Sequence, residues 1–216
     1  MSEAAVMPRG NAVPANDMVR TDGRNRRAAA TRRKIIEAAK AMIEETSVAP
    51  TVVGVAKRAD VSVRSVFQHF GDVQSLFVTV VDSIGEDVQM GPTPAADRPL
   101  ESRVEGLIQS LVELFDKIVP LRVAAGQFAG HPALLERGLA LRQQLRDATL
   151  KAFEPELATL GEQSREELVD AIGAALSLDA WIVLRRRDGL TVERAVAIWR
   201  RTLTALVEHE LGKVRQ

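Results

Sequence analysis

The sequence predicts an all-α protein with a small N-terminal helical domain and a larger C-terminal one. Apolar residues recur at helical spacing, as at Ile35, Ile36, Ala39 and Ile43. No segment of the sequence sustains the alternation of apolar and polar residues that a half-buried strand requires. Proline and glycine residues divide the 216-residue chain into about nine segments. A chain of this length has room for two domains of unequal size.

The breakers and the helical periodicity give approximate bounds for the elements. Residues 1–22 mix proline, glycine and asparagine without a sustained period, which predicts a flexible tail. The expected domains are then residues 23–72 and residues 73–216. Helices are expected at about 24–45, 52–59, 63–69, 73–89, 99–118, 121–129, 133–153, 164–187 and 191–212.

Composition excludes several classes of protein. The chain is 46% hydrophobic, and its 29 basic and 29 acidic residues cancel, which is ordinary globular composition. The absence of cysteine excludes disulfides, thiolate catalysis and cysteine-bound zinc, and three scattered histidines leave little for a metal. The longest apolar stretch, Ala171 to Leu184, is too short to cross a bilayer. We expect a cytoplasmic protein without metal, cofactor or membrane contact.

Positive charge is concentrated near the N-terminus. The first 80 residues hold 12 basic and 8 acidic side chains, and residues 20–34 alone hold seven basic side chains and one acidic. Such a run indicates a polyanionic partner, although a solvated tail and helix face would have the same composition. The candidates for contacts with a polyanion are Arg24, Arg26, Arg27 and Arg32.

Residues 51–70 have the pattern of two short helices joined by a tight turn. Thr51 is a helix N-cap before a short apolar period, and Ser62 offers a second N-cap after an interruption at Asp60 and Val61. This is the pattern of a helix-turn-helix, whose second helix enters the major groove of DNA. Any small helical domain can also contain two short capped helices with polar outer faces.

The side chains away from the buried stripe of the second helix suit the recognition of bases. Arg64 can bind the O6 and N7 atoms of guanine, Gln68 can bind adenine, and Val63 can contact a thymine methyl group. Hydroxyl and imidazole groups nearby suit phosphates instead. The predicted DNA-binding residues of this segment are Thr51, Ser62, Val63, Arg64, Ser65, Phe67, Gln68 and His69.

Residues 31–77 resemble the N-terminal DNA-binding region of the TetR family of bacterial repressors. The resemblance covers about a fifth of the chain and consists of I-I-x-A-A, T-V, V-A-x-x-A and V-S-V-R-S-V-F-x-H-F, in that order. It implies an all-α homodimer in which three N-terminal helices bind an operator half-site. The remaining helices would bind a small effector and pair with the second subunit.

Three positions depart from the pattern of that family. Asp60 stands where glycine is common, Phe67 where tyrosine often contacts a phosphate, and Val73 where lysine is usual. Aspartate tolerates a left-handed backbone better than most residues. The other two changes remove phosphate contacts, and our hypothesis is that the upstream arginines replace part of that affinity.

The last two expected helices have the sequence of a dimer interface. Each carries an apolar stripe, and the pair could form a four-helix bundle with its twin. Alternatively, both stripes fill the core of their own subunit. The predicted interface residues are Leu176, Val183, Val196, Trp199 and Leu203. A dimer suits a palindromic site, because two reading helices would enter grooves one DNA turn apart.

Four residues are candidates for binding an effector. Phe115, Phe128 and Trp181 could line an apolar pocket or belong to the core. Asp179 interrupts an apolar stripe and could bind an effector, pair with an arginine across the dimer, or lie at a wet edge.

The expected function is a ligand-responsive transcriptional regulator. It would be a repressor that a largely apolar small molecule releases from a palindromic operator in double-stranded DNA. One alternative is a DNA-binding regulator or architectural protein without an effector. Another is an all-α enzyme, although the sequence carries no familiar catalytic motif.

Overall fold

The structure is a computed structural model that describes residues 15–87 and 90–214. All regular secondary structure in these ranges is helical, which confirms the all-α class. The helices are α1 (Ala15–Thr46), α2 (Val52–Ala59), α3 (Val63–Phe70), α4 (Val73–Asp87), α5 (Leu100–Ala124), α6 (Pro132–Ala152), α7 (Glu154–Leu157), α8 (Glu162–Ala175), α9 (Leu178–Ile182) and α10 (Val192–Val214). A 3₁₀ turn covers Ala125–Phe128 and a π-helical segment covers Val183–Arg187.

Helix α1 begins earlier than expected. It starts at Ala15, so the prediction of a tail is wrong for residues 15–22, and residues 1–14 lie outside the described part of the chain. The added residues extend the helix predicted at 24–45, and an existing helix grows without the cost of a new nucleus.

Two further boundaries differ from the prediction. Helix α5 continues through Pro120, where a break was expected, because Val119, Leu121 and Ala124 carry the buried stripe past it. The expected helix at 164–187 is interrupted instead. The Ser177 hydroxyl accepts a hydrogen bond from the Ala180 backbone N–H at 3.1 Å and starts α9.

The apolar side chains form two clusters. The N-terminal core joins α1, α2 and α3 to α4, through residues such as Ile35, Val66 and Phe77, and to Leu121 at the end of α5. The C-terminal core contains side chains of α5, α6, α8 and α10. Packing of the N-terminal core therefore continues past residue 72, where the sequence had placed a domain boundary.

The two cores are connected by more than the chain itself. Helix α5 contributes Val104 to the C-terminal core and Ala124 to the N-terminal core. The Arg186 guanidinium, on the π-helical segment, donates to the Ser47 hydroxyl at 2.8 Å, directly after α1. The residue that follows α1 and the π-helical segment before α10 are thus in direct contact.

Candidate nucleic-acid interface

Helix α2 is held by its cap and by its buried face. Thr51 has an extended backbone, and its hydroxyl oxygen accepts from the Gly54 backbone N–H at 3.1 Å. Val55, Ala56 and Ala59 are buried, and the two alanines let α1 pack closely. The Thr51 hydroxyl hydrogen is left for another acceptor, because capping uses only the oxygen.

The turn after α2 requires a left-handed residue, and Asp60 supplies it. Asp60 has φ of 54° and ψ of 51°. Its N–H donates to the Lys57 carbonyl at 3.4 Å, and the Val61 N–H donates to the Ala56 carbonyl at 3.0 Å. This pair of hydrogen bonds is the Schellman motif. The left-handed backbone expected at Asp60 is therefore present.

Helix α3 follows at once, so the two short helices and the tight turn are as predicted. The Ser62 hydroxyl oxygen accepts from the Ser65 N–H at 3.0 Å and caps the helix. Val66 and Phe70 are buried, which attaches α3 to the N-terminal core. At the other end, the Gly71 N–H donates to the Phe67 carbonyl with φ of 77° at Gly71, a conformation that favours glycine.

The outer face of α3 presents the predicted reading residues to solvent. Arg64 and Gln68 are exposed and, within the described part of the chain, neither makes a hydrogen bond or an ion pair. Val63 and Phe67 are 39% and 47% exposed. The remaining predicted residues of the helix, Ser65 and His69, are partly buried on its other flank.

The basic side chains upstream lie along the first half of α1. Arg24, Arg26 and Arg27 are exposed there, and Arg26 interacts with another residue of the chain. Arg32 differs from them, because its guanidinium lies 5.0 Å from the ring centroid of Phe70. This cation–π contact joins the basic half of α1 to the end of α3.

An open depression between α1 and α2 adds further cations. Its lining includes Arg33, Lys34 and Arg58, with Glu37 as the acidic member. The Arg58 guanidinium donates to both carboxylate oxygens of Glu45, and these hydrogen bonds lower the pKa of the Glu45 carboxyl. Arg33 and Lys34 belong to the basic run but were not among the predicted contacts.

An acidic group follows α3 as well. The Asp72 carboxylate accepts from the Ser75 backbone N–H at 2.7 Å and starts α4. These hydrogen bonds from Ser75 lower the pKa of the Asp72 carboxyl, so it stays ionised at neutral pH. The negative charge of Asp72 is therefore fixed two residues beyond the end of the helix that carries the predicted reading residues.

The structure does not bring the four predicted effector-binding residues together. Phe115 and Trp181 are buried in the C-terminal core, where both pack against Trp199. Phe128 packs in the N-terminal core, 5.0 Å from the Phe77 ring. Asp179 is exposed and pairs with Arg122 at 3.0 Å. The three aromatic residues thus lie in the two cores, which was the alternative to a pocket, and Asp179 lies at a solvent-exposed edge because α8 ends before Ser177 and α9 begins after it.

The prediction of the dimer interface is wrong for three of its five residues. Leu176, Trp199 and Leu203 are at most 2% exposed and fill the core of their own chain. Val183 is 41% exposed and Val196 is partly buried, so these two remain accessible. The apolar stripe of α10 thus faces α5 and α8 of the same chain.

The sequence does not predict two buried hydrogen-bond donors in the C-terminal part. The Trp199 indole N–H and the Arg185 Nε–H have no hydrogen-bond acceptor among the described residues. Arg185 lies over Trp181, with its guanidinium carbon 5.9 Å from the ring centroid. The π-helical segment, a rare form that often marks functional sites, places Arg185 there. No pattern in the sequence distinguishes this π-helical segment from an ordinary helix end.

Other kinds of site find no support among the described residues. No three histidine, aspartate or glutamate side chains there lie close enough to hold a metal ion. Within residues 15–87 and 90–214, no helix has the length and apolar character that a membrane span needs. Comparison with known proteins found no matching family model, curated protein or solved structure.

Proposed function

We propose that this protein is a sequence-specific regulator of transcription that binds double-stranded DNA. The observation that carries the proposal is the outer face of α3. This short helix is capped at both ends, anchored by Val66 and Phe70, and exposes Arg64 and Gln68 without partners among the described residues. Long polar side chains on an exposed helix whose backbone is firmly anchored are what base recognition in the major groove needs.

Sequence-independent affinity would come from α1. Its exposed arginines carry positive charge along a single helix, the rod, that packs against α2. Arg32 contacts Phe70, so the rod and α3 are held in fixed relation. Lysine and arginine side chains that neutralise phosphates release counterions, which supplies affinity without reading sequence. The Thr51 and Ser62 hydroxyls would add phosphate contacts at the helix starts.

The functional unit in this proposal is a homodimer on a palindromic operator. One α3 helix reaches a few base pairs, and two of them about 34 Å apart would read both half-sites. Of the predicted interface residues, Val183 remains exposed on the π-helical segment, and Ile198 of α10 is 38% exposed. These aliphatic side chains support pairing through the C-terminal part.

A small molecule that carries a hydrogen-bond acceptor is the proposed effector. The unpaired donors at Trp199 and Arg185 support this, because a ligand oxygen there would satisfy groups that are costly to bury alone. The contact from Arg186 to Ser47 would carry a movement of the π-helical segment to the end of α1. Repression would end when the ligand favours a spacing of the two α3 helices that does not fit the operator.

Selection of bound fragments from a random pool of duplex DNA tests the proposal. We expect enrichment of a palindrome whose half-site centres lie about one helical turn apart. Small molecules added to the complex would then be screened for release and for a change in fluorescence of Trp181 and Trp199. Failure to enrich any sequence at low ionic strength would contradict DNA recognition, whereas enrichment without release by any ligand would favour a regulator that needs no effector.

The arginines of α1 should determine the salt dependence of binding. Replacing Arg24 and Arg27 by alanine preserves helix propensity and removes two exposed charges. If each contacts a phosphate, the slope of log K against log salt becomes less negative by about 0.9 per contact in each protomer. Fluorescence anisotropy between low and moderate salt measures this slope. Arg142→Ala, on the exposed face of α6, is the control and should leave the slope unchanged.

A further inference from the structure

Helix α3 exposes an apolar surface beside its polar reading residues. Val63 and Phe67 are 39% and 47% exposed, and we call this pair the apolar ridge. They lie four residues apart and therefore on one side of the helix. Leaving a phenylalanine half exposed forfeits part of the stabilisation that its burial would give. The core does not need these two side chains, since Val66 and Phe70 anchor the helix.

The apolar ridge runs parallel to a polar one. Arg64 and Gln68 are also four residues apart, and each follows a ridge residue directly, so the two rows are displaced by about 100° around the helix. Along the axis, the members of each row are separated by about 6 Å, close to two base-pair steps of 3.4 Å. A helix that directs the polar row at base edges on the groove floor therefore brings the apolar row toward the neighbouring base edges of the same groove.

The chemical groups that line the major groove limit what the apolar ridge can contact there. Base edges there present hydrogen-bond donors and acceptors, and the one apolar group among them is the C5-methyl of thymine. The nearby charge also fits DNA, because Arg64 follows Val63 directly and the Arg32 guanidinium of α1 lies 5.0 Å from the ring centroid of Phe70 on the same helix. A protein partner with an apolar face would not call for these cations.

We propose that Val63 and Phe67 read thymine methyl groups, and that the operator half-site carries thymines at one or two fixed positions for this reason. The inference rests on the proposed function and adds to it a base preference that does not use hydrogen bonds. The phenylalanine at position 67 then has a role of its own in recognition. Arg64 and Gln68 would specify guanine and adenine independently of it.

Replacing single thymines by deoxyuridine tests this inference directly. The exchange removes the methyl group and leaves base pairing intact, so it is applied to each thymine of the selected operator in turn. At the one or two thymines under the ridge, affinity should fall about fourfold, as expected for the loss of one buried methyl-sized group. At the other thymines it should stay the same. Exchange in both half-sites together should give about fifteenfold, the product of two independent losses.

Variants assign the effect to the ridge. Phe67→Ala or Val63→Ala should bind the thymine and deoxyuridine operators equally well at the position each side chain reads. Arg64→Ala should weaken binding but keep the fourfold difference. Val123→Ala is the matched control, since Val123 lies on α5 and is 39% exposed, like Val63. It should change neither the affinity nor the difference.

Three outcomes would overturn the inference. The first is an operator bound specifically in which no thymine responds to the exchange, which leaves the proposed function standing. The second is a Phe67→Ala, Val63→Ala double variant that still distinguishes thymine from deoxyuridine. The third is a Phe67→Ala protein that sediments as a smaller species without DNA, because the ridge would then pair with a second copy of the chain. Absence of any specific site would instead reject the proposed function.

Discussion

Glu156→Ala should lower the free energy of unfolding by about 3–5 kcal/mol, the cost of leaving a buried charge without its partner. The Glu156 carboxylate accepts two hydrogen bonds from Arg103, whose side chain is 4% exposed. Arg103 also donates to the Ala152 carbonyl at 2.6 Å, which ties α5 to α6. Urea unfolding followed by circular dichroism, at one protein concentration, measures the loss.

The control for this prediction is an exposed ion pair that also has one partner on α5. Arg200 donates to both carboxylate oxygens of Glu105, but these side chains are about half exposed. Glu105→Ala should therefore cost less than about 1 kcal/mol. Equal losses in the two variants would show that the Arg103–Glu156 pair contributes no more than a surface ion pair.

The same pair sets a direction for the dependence of stability on pH. Burial acts to raise the pKa of the Glu156 carboxyl, but the hydrogen bonds and positive charge of Arg103 outweigh it, and the pKa lies below its ordinary value. A lowered pKa contributes stability that is complete above the pKa of the unfolded side chain, about 4.3. That contribution is lost as the pH falls through the lowered pKa of the Glu156 carboxyl in the folded protein. Glu156→Ala should lack this part of the acid transition.

Arg64→Ala should weaken binding to the selected operator by about 1–3 kcal/mol, or roughly 5- to 150-fold, for each half-site and relax preference at one base pair in each of them. The reason is that a bidentate contact to guanine is lost without a substitute. Competition binding against operators changed at single positions would show where preference disappears. Arg201→Ala on α10 also removes an exposed charge and should leave preference intact. An equal loss on operator and random DNA would make Arg64 a phosphate contact.

The features that could be predicted from the sequence are those that depend on hydrogen bonds between residues close together in the chain. Thr51 and Ser62 were recognised as caps because a short polar side chain before an apolar period has few other uses, and both make the expected hydrogen bonds. The left-handed turn at Asp60 follows from the same local reasoning. These features need no knowledge of distant residues.

The C-terminal part shows where such reasoning ends. An apolar stripe indicates that one side of a helix is covered, but it does not indicate which surface covers it. Trp199 and Leu203 are therefore predicted at a dimer interface, although the structure buries them within their own chain. Asp179 was placed on a buried stripe by counting along one continuous helix. Ser177 caps a new helix, α9, so the residues after it no longer follow the helical periodicity of α8.

The length of α1 has a mechanical consequence. Ala15 lies twenty residues before Ile35, which is buried in the N-terminal core, so the helix extends about 30 Å from Ile35 to Ala15. A tilt of about 10° in either protomer would swing the tip through an arc of about 5 Å, the distance at which a charge passes from one phosphate toward the next. A small change in the orientation of the two protomers would thus produce a larger displacement at the N-terminal ends of their α1 helices, far from the bases that α3 would contact.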